Sequence, residues 1–348
     1  MDSVRTRVLI ITIAAISSLA ADRLSAQIGH VIDAVGPINQ SMGGAGTALP
    51  LDSMGALHWN PASITGLSSE LGFGFAAFAP QTELSSRLEA GAFGPGIPAT
   101  AMEGTTSSDT DISPIPSLGF VCSPEGSDWS YGLGGFAIGG FGVDFPASTT
   151  NPILTPQPAN GGFGFGSIFS QFQLMQFAPT VAYRWSDRVS LGFAPTINWS
   201  TLAISPFSAT TPNGNGTYPS AAQTDAAWGL GYQIGVYYED PCSGWHAGMS
   251  YKSTQWFQSY KFNSQDHLGA PRQLVFEMDY PSILSLGLGY TGFDRLSLAA
   301  DVRYIDYENT KGFQAAGFDG TGAVTGFGWN SIWSFSVGGQ FMVTDCLA

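Results

Sequence analysis

The sequence predicts an all-β protein, an antiparallel transmembrane β-barrel plugged by its own N-terminal segment. Three observations carry that expectation. Apolar residues recur at every second position through long segments, and the connections between those segments alternate between short and long. Only 11% of the 348 residues are charged, less than half of the roughly 25% usual in a soluble domain.

The alternation is clearest between residues 189 and 202. Val189, Leu191, Phe193, Ile197 and Trp199 fall on one side of an extended chain, and Ser190, Gly192, Thr196, Asn198 and Ser200 on the other. A period of two is the signature of a strand. It returns in Trp228, Leu230, Tyr232, Ile234, Val236 and Tyr238, and again in Leu296, Leu298, Ala300, Val302 and Tyr304 set against Ser297, Asp301 and Arg303. One side is apolar and rich in aromatics, the other carries small and polar groups. That is the lipid-out, lumen-in dyad of a membrane barrel. Because the chain has no apolar run of about eighteen residues, membrane residence has to come from strands rather than helices.

Taken in order, the chain opens with an apolar run from Val8 to Ala21 behind Arg5 and Arg7. These are the parts of a secretory signal, assigned to residues 1–26, with cleavage after Ala26 or after Ala20. No cysteine follows the run, which argues against a lipid anchor. Residues 27–69 hold Pro37, Gly43-Gly44-Ala45-Gly46, Pro50 and Pro61 and show no sustained dyad. About 40 residues are too few for an independently stable domain, so this stretch is expected to sit as a plug inside the barrel.

From residue 70 to 348 about ten strands are expected, near 70–78, 115–123, 129–140, 171–185, 189–204, 227–238, 245–262, 273–290, 295–307 and 330–343. Their connections are long at 79–114, 141–170, 205–226 and 308–329, middling at 263–272, and short at 123–128, 186–187, 239–244, 291–294 and 344–345. Outer-membrane barrels have short periplasmic turns and long external loops, whereas a soluble sandwich has no reason to sort loop lengths by parity. Tyr183, Trp185, Trp199, Tyr238, Trp245, Tyr290, Tyr304 and Tyr307 lie near strand ends, where aromatic girdles meet the membrane interfaces.

Several chemistries are absent from the pattern. A net charge of −14 excludes nucleic-acid partners, whose phosphates require clustered Lys and Arg. Cys122, Cys242 and Cys346 have no metal-ligand spacing; one pair among them or free thiols are both compatible with the sequence. His30, His58, His246 and His267 share no ligand spacing, so no metal and no cofactor are expected. No Gly-x-Ser-x-Gly elbow is present. His246 is the one strand-borne base, and as a lone lumen residue it does not make an enzyme. Gly43-Gly44-Ala45-Gly46 lacks the flanking strand, helix and Lys of a phosphate loop.

Ser41-Met42-Gly43-Gly44-Ala45-Gly46, followed by His58-Trp59-Asn60-Pro61-Ala62-Ser63, resembles the FadL and TodX family of outer-membrane transporters. Its Asn-Pro-Ala hatch signature falls on Asn60, Pro61 and Ala62. Further matches are Phe177 to Arg184, Gly235 to Glu239, Gly248 to Ser253, Ser285 to Tyr290 and Ala299 to Val302. The resemblance implies a fourteen-stranded monomeric barrel in the outer membrane of a Gram-negative-type bacterium. Long-chain fatty acids, or similar hydrophobic molecules such as aromatic hydrocarbons, would pass it without an energy source. It implies an N-terminal hatch that includes Gly43, Gly44, Gly46, Asn60, Pro61 and Ala62, an apolar lumenal site, and a kinked third strand through which the ligand leaves sideways.

On this chain the third strand is Trp129 to Gly140. Gly132, Gly134, Gly135, Gly139 and Gly140 are where a kink costs least, or else they line the lumen beside the hatch. Phe163, Phe165, Phe169 and Phe207 are the aromatics expected to capture ligand on external loops, although the run Gly161 to Gly166 also fits a disordered tip. Ten strands fall short of fourteen, and the chain lacks the family's terminal aromatic strand, so a sequence truncated at its C-terminus is expected. The competing reading is a structural or adhesive barrel without transport. The two differ in that a transporter needs an apolar pocket in the lumen above residues 27–66.

Overall fold

The structure, a computed structural model, describes residues 28–343. The signal expected over 1–26, the turn at 344–345 and Cys346 lie outside the described residues. In chain order the strands are β1 (Glu70–Phe78), β2 (Glu83–Leu88), β3 (Met102–Ser107), β4 (Ser113–Cys122), β5 (Trp129–Phe145), β6 (Ile168–Arg184), β7 (Val189–Ser205) and β8 (Ala221–Asp240). They continue with β9 (Trp245–Lys252), β10 (Trp256–Phe257), β11 (Tyr260–Gln265), β12 (Pro271–Phe276), β13 (Ser282–Tyr290), β14 (Leu296–Asp306) and β15 (Ile332–Phe341). One antiparallel sheet runs β1-β4-β5-β6-β7-β8-β9-β13-β14-β15, with β10 attached to β8. β2–β3 and β11–β12 are separate hairpins.

The strands face as their alternation demands. In β7, Leu191, Phe193 and Ile197 are exposed while Ser190, Ala194, Thr196, Asn198 and Ser200 are buried. The outward row continues through Leu71 and Phe73 of β1, Trp228 and Leu230 of β8, and Phe335 and Val337 of β15. Exposed apolar area running across the whole sheet far exceeds what a soluble monomer tolerates, and hydrocarbon is the solvent that stabilises it. Cross-strand aromatic pairs mark both rims. Trp129 meets Tyr183 at 4.7 Å and Trp245 meets Tyr290 at 4.8 Å beside short turns; Tyr304 meets Trp333 at 5.0 Å towards the long loops.

The sheet curls around residues 28–69. Pro37 lies against Gly74 of β1, and Gly43, six residues on, lies against Val337 of β15. Six residues reach at most about 20 Å, whereas nine flat inter-strand steps of about 4.8 Å would hold the two edges roughly 43 Å apart. Among the described residues β1 pairs only with β4 and β15 only with β14.

Two stretches expected as single strands, 245–262 and 273–290, are each broken. β9 ends at Lys252, and the chain turns inward at Gln255 before touching β8 again at Trp256 and Phe257. β12 and β13 are separated by 277–281, where Pro281 offers no N–H to continue a ladder. The freed residues stand as the β11–β12 hairpin, which packs Phe262 and Phe276 on Phe207. The expected loop 79–114 likewise contains the β2–β3 hairpin. Polar alternation persisted through these segments because a hairpin has the same period as the wall, so periodicity alone did not separate them.

Candidate functional site

Residues 28–69 form two short helices and one 3-10 turn, each started by its own chemistry. Pro37 opens the helix Pro37–Ser41. The Asp52 carboxylate accepts from Gly55 N at 3.2 Å and caps the helix Ser53–Trp59. Asn60 ends that helix, and its Oδ1 accepts from Ala62 N at 3.1 Å to start the turn Pro61–Gly66, where Pro61 takes the first position.

Towards the short turns this segment is held by polar side chains of the wall. Asn60 Nδ2 donates to Thr47 O at 2.8 Å and to Val236 O on β8 at 3.0 Å. An added Cβ at Gly235 would run into the Asn60 side chain, so only glycine fits there. Gln233 Nε2 donates to His58 O and Trp59 O at 3.1 and 2.9 Å, and Ser250 Oγ also donates to Trp59 O. Asp301 Oδ2 accepts from Gly46 N, Thr47 N and Thr47 Oγ1 at 2.8, 2.9 and 2.9 Å, and from Arg303 Nη2 at 2.6 Å. Arg303 also donates to Gly44 O at 2.7 Å, and its guanidinium lies 3.5 Å from the centre of the Trp59 ring.

The glycine-rich loop therefore does wrap an anion with its backbone amides. The anion is the chain's own Asp301 carboxylate. Beside it, Lys252 Nζ contacts His58 Nδ1 at 3.3 Å and donates to Gln176 Oε1 at 3.2 Å. Burial, with Lys252 and Arg303 nearby, holds the His58 imidazole well below its usual pKa, so the ring stays neutral. Burial lifts the Asp52 carboxyl to about 6.

Towards the long loops the same segment is held differently. β4 pairs with β5 only from Cys122↔Tyr131 to Ser117↔Phe136. Beyond Phe136 the two strands part, and β5 carries a bulge at Ile138, between Ala137 and Gly139. The opening is filled by residues 30–32. Ile32 N donates to Ile138 O at 3.0 Å, Gly140 N donates to His30 O at 2.9 Å, and Val31 bridges Gly139. Asp109 N donating to Asp144 O at 2.8 Å closes it above.

His30 projects from this segment into a box of rings. Phe313 stacks on it at 5.1 Å with an interplanar angle of 1°, and Tyr280, Phe172, Tyr307 and Trp329 stand at 5.4, 5.6, 5.6 and 6.0 Å. The imidazole is 2% exposed. Neither ring nitrogen has a hydrogen-bond partner, and burial pushes its pKa down to about 3.

The residues singled out from sequence are distributed as follows. Gly43, Gly44, Gly46, Asn60, Pro61 and Ala62 come together in the polar clamp. Gly44, at φ 84, takes a left-handed turn that side chains rarely adopt. Gly139 and Gly140 border the bulge. Gly132, Gly134 and Gly135 lie in unbroken pairing, which sets them on the second of the two alternatives, small residues beside the N-terminal segment. A Cβ on Gly132 would strike Leu57, so close approach of the segment, not bending, accounts for it.

Phe163 is half-buried on a loop, 5.7 Å from Phe93, and Phe165 stacks on Tyr218 at 5.6 Å. Phe169 is not on a loop; it pairs with Asp144 and Ser205 within β6. Phe207 is fully buried against Phe262 and Phe276 under the β11–β12 hairpin, out of reach of an arriving ligand. His246 is partnered by Tyr237 and Thr291 at 2.8 and 3.0 Å. Cys122 and Cys242 are free thiols, and no cluster with metal-binding geometry occurs among the described residues.

Sequence reasoning missed His30 and Ile138. It had placed Asp301 and Arg303 on the inward face without giving them a role, and charge on the inner wall of a lipid-bound sheet was the available signal.

Residues 29–348 match the model of the outer membrane protein transport protein family, OMPP1/FadL/TodX. The chain belongs to that family. It is thus an outer-membrane protein of a transport family, not of an enzyme family. Among solved structures it is similar to a FadL homologue from Pseudomonas aeruginosa, with a TM-score of 0.65, 14% identity, and coverage of 91% of this chain and 78% of that one. It is also similar to the toluene transporter TbuX of Ralstonia pickettii, with a TM-score of 0.63, 17% identity, and coverage of 90% and 83%. For the toluene transporter TodX of Pseudomonas putida the values are 0.60, 18%, 90% and 81%. No curated protein sequence matches the chain.

Proposed function

We propose that the protein carries hydrophobic compounds, long-chain fatty acids or aromatic hydrocarbons, passively across the outer membrane, with residues 27–69 as a hatch that gates the passage. One observation carries the reading. The wall between β4 and β5 is open beside Ile138, and the stopper is three residues of the N-terminal segment rather than another strand. An opening in a lipid-facing wall leaves backbone groups that hydrocarbon cannot satisfy. It is tolerable while residues 30–32 supply the missing hydrogen bonds, and it becomes a sideways exit when they withdraw.

Capture begins on the long-loop side, where Phe163 and Phe93 present apolar faces. Movement inward is favoured by removing alkyl or ring surface from water, about 0.8 kcal/mol per buried methylene, and no energy source enters. The space between Val35, Pro37, Phe75 and Ile115 amounts to only about 10 Å³, too small for any ligand.

The test uses the full chain in cells. Asn60→Ala removes both donations that seat the hatch, to Thr47 O and Val236 O, each worth about 0.5–1.5 kcal/mol. Uptake of labelled oleate and labelled toluene is expected to change by about tenfold, the worth of 1.4 kcal/mol. Wild-type uptake of both compounds by a correctly inserted Asn60→Ala protein would overturn the gating role.

A further inference from the structure

The long connection between β14 and β15 carries a cleft of about 410 Å³ whose lining mixes two chemistries. Phe313 and Trp329 supply ring surface, Ala315 and Ala316 add little bulk, and Glu308 and Asn330 bring a carboxylate and an amide. The volume is that of a small-molecule site. The strand that follows fixes its height. β15 starts two residues after Asn330, and Trp333 on it meets Tyr304 in the aromatic rim towards the long loops. The cleft therefore opens beyond the hydrocarbon, among headgroups and water.

This connection is folded before anything binds. Phe327 N donates to Gly312 O at 3.1 Å and Gly328 N to Gln314 O at 2.9 Å, while Trp329 packs on Phe313 and Tyr307 at 5.1 and 5.2 Å. Glu308 is held by its main chain, whose N–H donates to Ser331 Oγ at 3.1 Å. None of the ion pairs among the described residues includes its carboxylate. The cation nearest in sequence, Lys311, is turned to Glu277 at 3.3 Å. The same Ser331 hydroxyl donates to Asp306 Oδ1 at 3.0 Å, so a second negative charge stands close by.

We propose that this cleft is a binding site for a methylated ammonium group, with Glu308 as its counter-charge and Trp329 as its ring platform. An anionic guest would meet Glu308 and Asp306 as like charges. An apolar guest would strip water from the Glu308 carboxylate and give it no partner. A positive charge spread over methyl groups suits both parts of the lining, because it attracts the carboxylate and lies favourably over aromatic rings. The net charge of −14 raises the concentration of cations near the mouth. Such a group occurs on soluble quaternary amines and on the heads of choline-type amphiphiles. The site is independent of the transport reading.

The test titrates choline into the purified full-length protein in a polyoxyethylene detergent and follows heat. Its comparison is the uncharged isostere of choline, an alcohol with a tert-butyl group in place of the trimethylammonium. Choline is expected to bind about tenfold more tightly than the isostere, a difference that Glu308→Gln erases and Glu308→Asp largely keeps. Trp329→Leu is expected to weaken both guests. Raising ionic strength from about 0.1 M to about 1 M should weaken choline in the wild type and leave Glu308→Gln unchanged. Dodecyltrimethylammonium separates the two sources. Tighter binding than choline, with the same loss in Glu308→Gln, assigns the head of an amphiphile, and equal binding assigns the soluble amine. The proposal fails if choline does not bind, if choline and its isostere bind equally, or if Glu308→Gln, shown to be folded by heat-modifiable migration, keeps wild-type affinity. It fails as well if glucose, and not choline, binds with dependence on Trp329.

Discussion

The two ends of the N-terminal segment are fixed by opposite means. Around Asn60, Asp301 and Arg303 the wall reaches in with charged and amide groups, and the segment's backbone is met atom by atom. Around His30 the wall offers ring surface, two hydrogen bonds to a bulged strand, and no partner for the imidazole. Directional bonds in a dry interior are costly to break, whereas dispersion contacts with rings are individually weak and do not depend on one exact alignment. On the proposed reading, the polar end anchors the segment and the aromatic end is the one that lets go.

The largest expected effect tests the anchor. Asp301→Asn keeps the shape and removes the charge that Arg303 requires, and a buried guanidinium left without its carboxylate costs about 3–5 kcal/mol. Urea unfolding should register a loss of that size, and amide exchange should localise it to Gly46 and Thr47, whose N–H groups point at Asp301. A loss spread evenly over the strands would erase the distinction between the two ends.

Acidification should act on the other end. The folded His30 has its pKa lowered from 6.5 to about 3, so its contribution to the closed state is complete above pH 6.5 and is lost as pH falls from 6.5 towards 3. At pH 5 the closed state is weakened by about 2 kcal/mol, at 1.36 kcal/mol per pH unit. Tyr280 and Tyr307, the titratable groups facing the ring, have phenols pushed upward by burial and stay neutral throughout. Exchange of the Ile32 amide reads this opening, and His30→Phe should remove its pH dependence. His58 acts in the same direction. Asp52, with a folded pKa raised from 3.8 to about 6, favours folding as pH falls between those values, but at the helix Ser53–Trp59, and the two windows separate by residue.

The smallest effect belongs to the loops. Phe163→Ala, at a half-buried loop position, should change stability by no more than about 0.5 kcal/mol while slowing uptake at low ligand concentration. An uptake defect as large as that of Asn60→Ala would move the decisive contact out of the lumen and onto the loops.

Some of this was readable in the residues themselves. The facing of β7 followed from Leu191, Phe193 and Ile197 alternating with Thr196, Asn198 and Ser200, because a strand exposes alternate side chains whatever lies around it. The parity of loop lengths gave the barrel, and Asn60-Pro61 gave the end of one helix and the start of the next turn. Glycine was a poorer guide. Of the glycines singled out in β5, Gly132 and Gly139 mark close approach to Leu57 and His30, but the bulge fell on Ile138, where separation from β4 and docking of residues 30–32 set the geometry. Phe207 read as a loop aromatic because nothing in its neighbours shows the β11–β12 hairpin folding over it.

Periodicity and composition by themselves determined an outward apolar face, an inward polar face and a leading segment without strand character, since these depend on local stereochemistry and on which solvent each face meets. Only the tertiary structure decided that Asp301 takes the anion place in the glycine loop, that β4 and β5 part company, and that His30 lies among five rings. Those contacts join residues more than a hundred positions apart, and no local rule of the chain specifies which distant side chain arrives.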